Sequence, residues 1–105
     1  MYVKEYNHRG ARYWKNEDGH LHREDGPAMH YVDGTKIWYR NGIIHRLDGP
    51  AYIDPNGKNY WVIEGHECTN EIQQWAKYRD IDLDNLTQDD IDILRIEILL
   101  VIGDD

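Results

Sequence analysis

The sequence predicts an α+β fold, an antiparallel β-meander of hairpin repeats with period 23–24 capped by two C-terminal α-helices. Three observations predict it. The phrase H-R-x-D-G-P-A is written twice, at 22–28 and 45–51. Asp-Gly and Asn-Gly dipeptides separate short strand-like runs around it, and both are hairpin turn signals. From Ile91 to Ile102, nine of twelve residues are apolar, which reads as a helix that is buried or lies at an interface.

The 105 residues are read as one domain, 1–105. It divides into a hairpin-repeat sheet over 2–66, a short helix over 69–79, an acidic linker over 80–86 and an apolar C-terminal helix over 87–102. Self-alignment sets the register of the sheet. Gly10, Gly34 and Gly57 each stand four residues before a tryptophan, Trp14, Trp38 and Trp61. Gly19, Gly42 and Gly65 stand three before His22, His45 and Cys68. Each unit reads as two strands with a turn at either end: A-M-H-Y-V, D-G, T-K-I-W-Y-R, N-G, then A-Y-I, D-P-N-G, K-N-Y-W-V-I, E-G. Five or six short antiparallel strands in chain order follow. A single hairpin cannot bury a face, so the units must stack.

After Cys68 the repeat gives way to a helix. Thr69 is the expected N-cap, and Ile72, Trp75 and Ala76 share one face. Asp80, Asp82 and Asp84 have the first spacings of a calcium loop. The sixth and twelfth positions are Asn85 and Ile91, where Gly and a bidentate Glu are needed, so the segment is read as a solvated linker anchored by Leu83 and Leu86. The last helix starts near Thr87, with Asp90 closing an imperfect capping box. Ile93, Ile96 and Leu100 are expected to dock on the sheet, and the remaining face to pair with a second copy. E-I-L-L-V-I, 97–102, also has the β-branched content of a strand.

Composition restricts function. There are 4 Trp, 8 Tyr and no Phe, which favours half-buried aromatic surfaces with one polar edge. Residues 1–63 carry 9 Lys/Arg against 8 Asp/Glu, while residues 64–105 carry 3 against 12. The acidic C-terminal part disfavours direct nucleic-acid binding, because neutralising phosphate needs cations. It favours a partner with a basic surface, with Asp80, Asp82, Asp84, Asp89 and Asp90 as the acidic surface. One cysteine excludes an internal disulfide and suits a reducing compartment. There is no leader-like start and no apolar run of 18, so a cytoplasmic protein without membrane contact is expected.

Two readings compete for the repeated residues. His22 and His45, with Arg23, Arg46, Asp25 and Asp48, supply the groups of an acid–base or metal site. His20, His30 and Cys68 extend the set, and zinc takes both Cys and His. Against this, a residue that recurs in every unit usually solves one packing problem in every unit. Asp caps its own backbone, Gly supplies positive φ, Pro ends pairing, Arg and Asp bridge neighbouring loops, and His stacks on the adjacent Trp. The structural reading is preferred, with no catalytic residue, no metal and no cofactor. Cys68 beside His66 has no basic neighbour to activate its thiol.

The doubled phrase, set between aromatic-x-x-N-G and D/N-G, resembles MORN-type hairpin repeats. The phrase itself resembles the H-R-x-D-G-P-A repeat proteins of tailed bacteriophages and some large viruses. The resemblance covers about residues 10–68. It implies protein contacts and scaffolding rather than catalysis, a phage-encoded accessory protein and the host cytoplasm. The expected function is a non-enzymatic module that binds and inhibits a host defence protein. It would use its aromatic sheet face or its acidic end, and form a homo-oligomer. Candidate contacts are Trp14, Trp38, Tyr39, Trp61, His22, Arg23, His45 and Arg46. Two alternatives stand beside it. One is a nucleotide or small-ligand binder, using those rings with Arg23 and Arg46. The other is a small His/Asp metal-dependent hydrolase.

Overall fold

A computed structural model describes residues 3–103 and shows antiparallel sheets followed by two helices. The strands are β1 Val3–His8, β2 Ala11–Asn16, β3 Met29–His30, β4 Lys36–Ile37, β5 Tyr39–Arg40, β6 Ile43–Ile44, β7 Tyr52–Ile53, β8 Asn59–Tyr60, β9 Val62–Ile63 and β10 His66–Glu67. The helices are α1 Thr69–Arg79 and α2 Gln88–Ile102. β1, β2, β3, β4, β7 and β8 form one sheet in that order, each antiparallel to the next. The pairs β5–β6 and β9–β10 leave it as separate hairpins. The chain therefore folds in two directions, alternating a sheet hairpin with a side hairpin. Backbone bonds stack the side hairpins: Gly42 N–H donates to the Leu21 carbonyl and Gly65 N–H to that of Ile44.

The two kinds of turn differ. Asn41–Gly42 and Glu64–Gly65, in the side hairpins, hold positive φ at both positions, 51° and 82°, then 50° and 82°. That twist matches flanking strands joined by two residues. At Asp33–Gly34 only the glycine has positive φ. Asp33 instead accepts the Thr35 N–H through Oδ1, as Asp54 does from Asn56 and Lys58. A side-chain acceptor shapes these turns where a second left-handed residue was expected.

The main core lies at the C-terminal end. Trp61, Ile63, Cys68, Ile72, Trp75, Ala76, Leu94 and Val101 bury together between the last side hairpin and the helices. The N-cap position of α1 is Cys68, not Thr69 as expected, and its side chain makes no capping bond. The Thr69 hydroxyl has another role: Oγ1 accepts the Trp61 N–H at 2.9 Å. The matching N–H groups of Trp14 and Trp38 donate to the carbonyls of Ala28 and Ala51 in the next hairpin. No such hairpin follows Trp61, so a side chain closes the stack.

α2 begins with a complete capping box. Thr87 accepts from Asp90 N–H, and Asp90 Oδ2 accepts from Thr87 N–H. The helix runs through 97–102, so that segment is not a strand. Its docking face differs from the expected one. Leu94 and Val101 are buried, with Ile93, Ile98 and Ile102 packed beside them. Ile96 and Leu100 are each 82% exposed and do not dock on the sheet. Apolar residues fall on more than one face of the helix, so the sequence left its phase open and packing chose the stripe. Glu97 adds a polar pin, accepting from Trp75 Nε1–H at 2.9 Å and pairing with Arg79.

Candidate functional site

The repeated histidines join one unit to the next. His22 is 1% exposed, and its Nδ1 accepts the Asn41 N–H at 2.9 Å. His45 Nδ1 accepts the Glu64 N–H at 2.9 Å, nineteen residues on in both cases. The left-handed residue of each side-hairpin turn thus meets the ring of the preceding copy. Cys68 replaces histidine in the third copy, where no further turn needs an acceptor. Burial, with help from Glu71 and Glu67, pushes its thiol up to about 11. At that value it is neither a thiolate nucleophile nor a ready metal ligand near neutral pH.

The repeated arginines form a second clasp. Arg23 lies with its guanidinium carbon 3.9 Å from the Trp14 ring centroid, and Arg46 lies 3.9 Å from that of Trp38. Each Nε donates to the aspartate two residues on, Asp25 at 3.0 Å and Asp48 at 2.7 Å. Each Nη1 reaches the proline carbonyl four residues on, at 3.3 and 2.9 Å. Arginine, not histidine, stacks on the tryptophan, and the Arg–Asp pair closes its own loop instead of bridging two. The phrase's glycines lack positive φ. A Cβ on Gly26 would stand 3.0 Å from the Arg23 guanidinium carbon, and one on Gly49 2.7 Å from that of Arg46. A Cβ at 49 would push the guanidinium aside and one at 26 would crowd it, so glycine lets the guanidinium lie against the backbone.

These clasps border a cleft of about 590 Å³ between the two phrase loops and α2. His22, Arg23, Trp38, Tyr39, His45 and Arg46 all line it. Arg40 from β5 and Arg95 from α2 also line it, and sequence reading singled out neither. A lone arginine in a strand and another in an apolar helix carry no motif, so no signal marked them. Desolvation holds the His45 pKa below the ordinary histidine value, Arg40 and Arg95 push it the same way, and Glu64 opposes them.

The other proposed residues scatter. Trp14 and Trp61 are buried and offer no ring to a ligand. His20 is exposed beside Gly42, His30 is half-buried in β3, and Cys68 is in the core. Among the described residues, no three His, Cys, Asp or Glu side chains gather to hold a metal ion. Of the acidic set, Asp82 accepts from Asp84 N–H and Asn85, and Asp90 is tied into the capping box. The carboxylates of Asp80, Asp84 and Asp89 are exposed and have no partner among the described residues.

The sheet carries a second surface. Tyr6, Tyr13, Met29, Ile37, Tyr52 and Tyr60 pair in one unbroken row across all six strands. Tyr6 and Tyr13 stack at 5.3 Å, and Tyr52 meets Tyr60 edge-on at 5.7 Å. The aromatic row of the sheet is therefore tyrosine, while Trp14 and Trp61 are buried and Trp38 lines the cleft. No protein-family model matches the chain, and no curated protein or solved structure matches it.

Proposed function

We propose that this chain is a non-enzymatic binding module, a MORN-like stack of 23–24-residue hairpin units serving as the scaffold for a protein contact. The observation that carries this reading is that the repeated His, Arg and Asp side chains hold the chain to itself. A general base must be free to move a proton at a substrate. His22 and His45 instead fix backbone N–H groups on Nδ1.

The partner is a protein with a basic surface, contacted through the acidic helical end. Asp80, Asp84 and Asp89 support this, their carboxylates having no partner among the described residues, in a C-terminal part, 64–105, that carries 12 acidic residues against 3 basic. The similarity of the phrase to bacteriophage repeat proteins supports a host protein as target, met in the host cytoplasm and inhibited there. A second copy pairs through the exposed apolar patch of Ile96, Leu99 and Leu100 on α2. No helix among the described residues is long and apolar enough to cross a membrane.

Affinity capture from bacterial lysate at low and high salt tests the reading. One stoichiometric protein is expected at low salt and lost at high salt, because surface charge contacts are screened. The triple variant Asp80→Asn, Asp84→Asn, Asp89→Asn is expected to lose it while melting like the parent. Capture that persists in the triple variant, or no capture at all, overturns the acidic-end reading.

A further inference from the structure

The two copies of the phrase differ at one chemically decisive position. In the first, His22 Nε2 lies 3.1 Å from the Glu24 carboxylate, while Nδ1 accepts the Asn41 N–H. In the second, Leu47 stands where Glu24 stood, half-buried and packed against the core. A neutral imidazole whose Nδ1 accepts carries its proton on Nε2. His45 accepts on Nδ1 from Glu64, so it presents an Nε2–H for which the described residues supply no acceptor.

Two cations share its surroundings. Arg40 and Arg95 are both exposed, line the same cleft as His45, and have no carboxylate partner among the described residues. Both disfavour the charged form of His45, while Glu64 opposes them. Arg23 and Arg46 differ, each being fixed by an aspartate and a carbonyl. Of the carboxylates that line the same cleft, Asp25 and Asp48 are taken by Arg23 and Arg46 and Glu24 by His22, so the two guanidiniums and the N–H share a cleft with no carboxylate bound to them among the described residues.

We propose that Arg40, His45 and Arg95 form a binding site for a small polycarboxylate. One carboxylate accepts the His45 Nε2–H, as Glu24 does in the first copy, and the two guanidiniums neutralise the remaining charge. Carboxylate is the class chosen because the chain itself places one against the equivalent imidazole. More than one is required because two cations face it, and guanidinium forks match carboxylates. A small molecule is favoured because about 590 Å³ falls within the range of small-ligand clefts. The site uses none of Asp80, Asp84 and Asp89, so either reading can fail without the other.

Calorimetric titration with citrate near pH 7.5 at low salt tests it, with sulfate and a tetraglutamate peptide as comparisons. Saturable one-to-one citrate binding, tighter than either comparison, is expected. Arg40→Gln and Arg95→Gln should each weaken it about tenfold or more, the size of one lost charge-assisted bond. Both side chains are exposed, so thermal melts of the free variants should match the parent. Leu47→Glu should supply the carboxylate internally and abolish citrate binding, while Leu47→Gln, which changes packing alike, should retain it. No saturable binding, equal affinity for sulfate, a preference for the peptide, or unchanged affinity in both arginine variants overturns the proposal.

Discussion

Gly49 lacks a side chain because the Arg46 guanidinium fills the space a Cβ would take, 2.7 Å away. This makes a coupled prediction. Gly49→Ala should displace the guanidinium from Trp38 and cost about 1–2 kcal/mol in urea unfolding, the size of a lost cation–π contact and charged hydrogen bond. In an Arg46→Ala background the same change should cost nearly nothing, since φ at 49 is ordinary and alanine stiffens the unfolded chain. Additive costs would mean that the glycine serves the backbone instead. His45 gives a pH signature. Its pKa is lowered by burial and by Arg40 and Arg95, against Glu64. The unfolded chain therefore takes up a proton before the folded one as pH falls. The contribution of the neutral ring is complete above about 6.5 and is lost as pH drops from there through the folded value. A midpoint in denaturant that falls between pH 7.5 and 5.5, with a smaller fall in His45→Gln, is the expected result.

Among the elements, the end of the stack and the start of α2 are the informative places. Trp61 N–H has only the Thr69 hydroxyl to receive it. Thr69→Val keeps the shape and removes the acceptor, so it should destabilise by about 1–3 kcal/mol, as an unpaired buried donor does. Thr69→Ser should restore most of that, and equal stability of the two would show that the bond contributes nothing. Thr87→Ala removes the N-cap of α2 and should cost about 1 kcal/mol with a small loss of helical ellipticity. Both threonines were legible as helix-start residues. Only Thr87 acts as a cap, because the last tryptophan has a prior demand on the other hydroxyl.

At the scale of the molecule, charge and exposed apolar surface decide what the chain meets. Leu100 is exposed on the same helical face as Ile96 and Leu99, so Leu100→Asp removes no core packing. If that face pairs two copies, light scattering should read half the mass for the variant, with unchanged helical ellipticity and a melting temperature that no longer depends on protein concentration. An unchanged mass would assign the patch elsewhere.

By itself the sequence determined the antiparallel hairpins and the two helices that follow them. Turn dipeptides, capping residues and recurrence are local signals, and local geometry obeys them. Only the tertiary structure decided that hairpins alternate between a sheet and a side column. It also decided that arginine and not histidine covers the tryptophans, and that Leu94 and Val101 rather than Ile96 and Leu100 face the core. It alone brought Arg40 and Arg95 to one histidine. Those outcomes depend on which surfaces meet across long stretches of chain. A helix apolar on more than one face, or a solitary arginine, contains no record of that meeting.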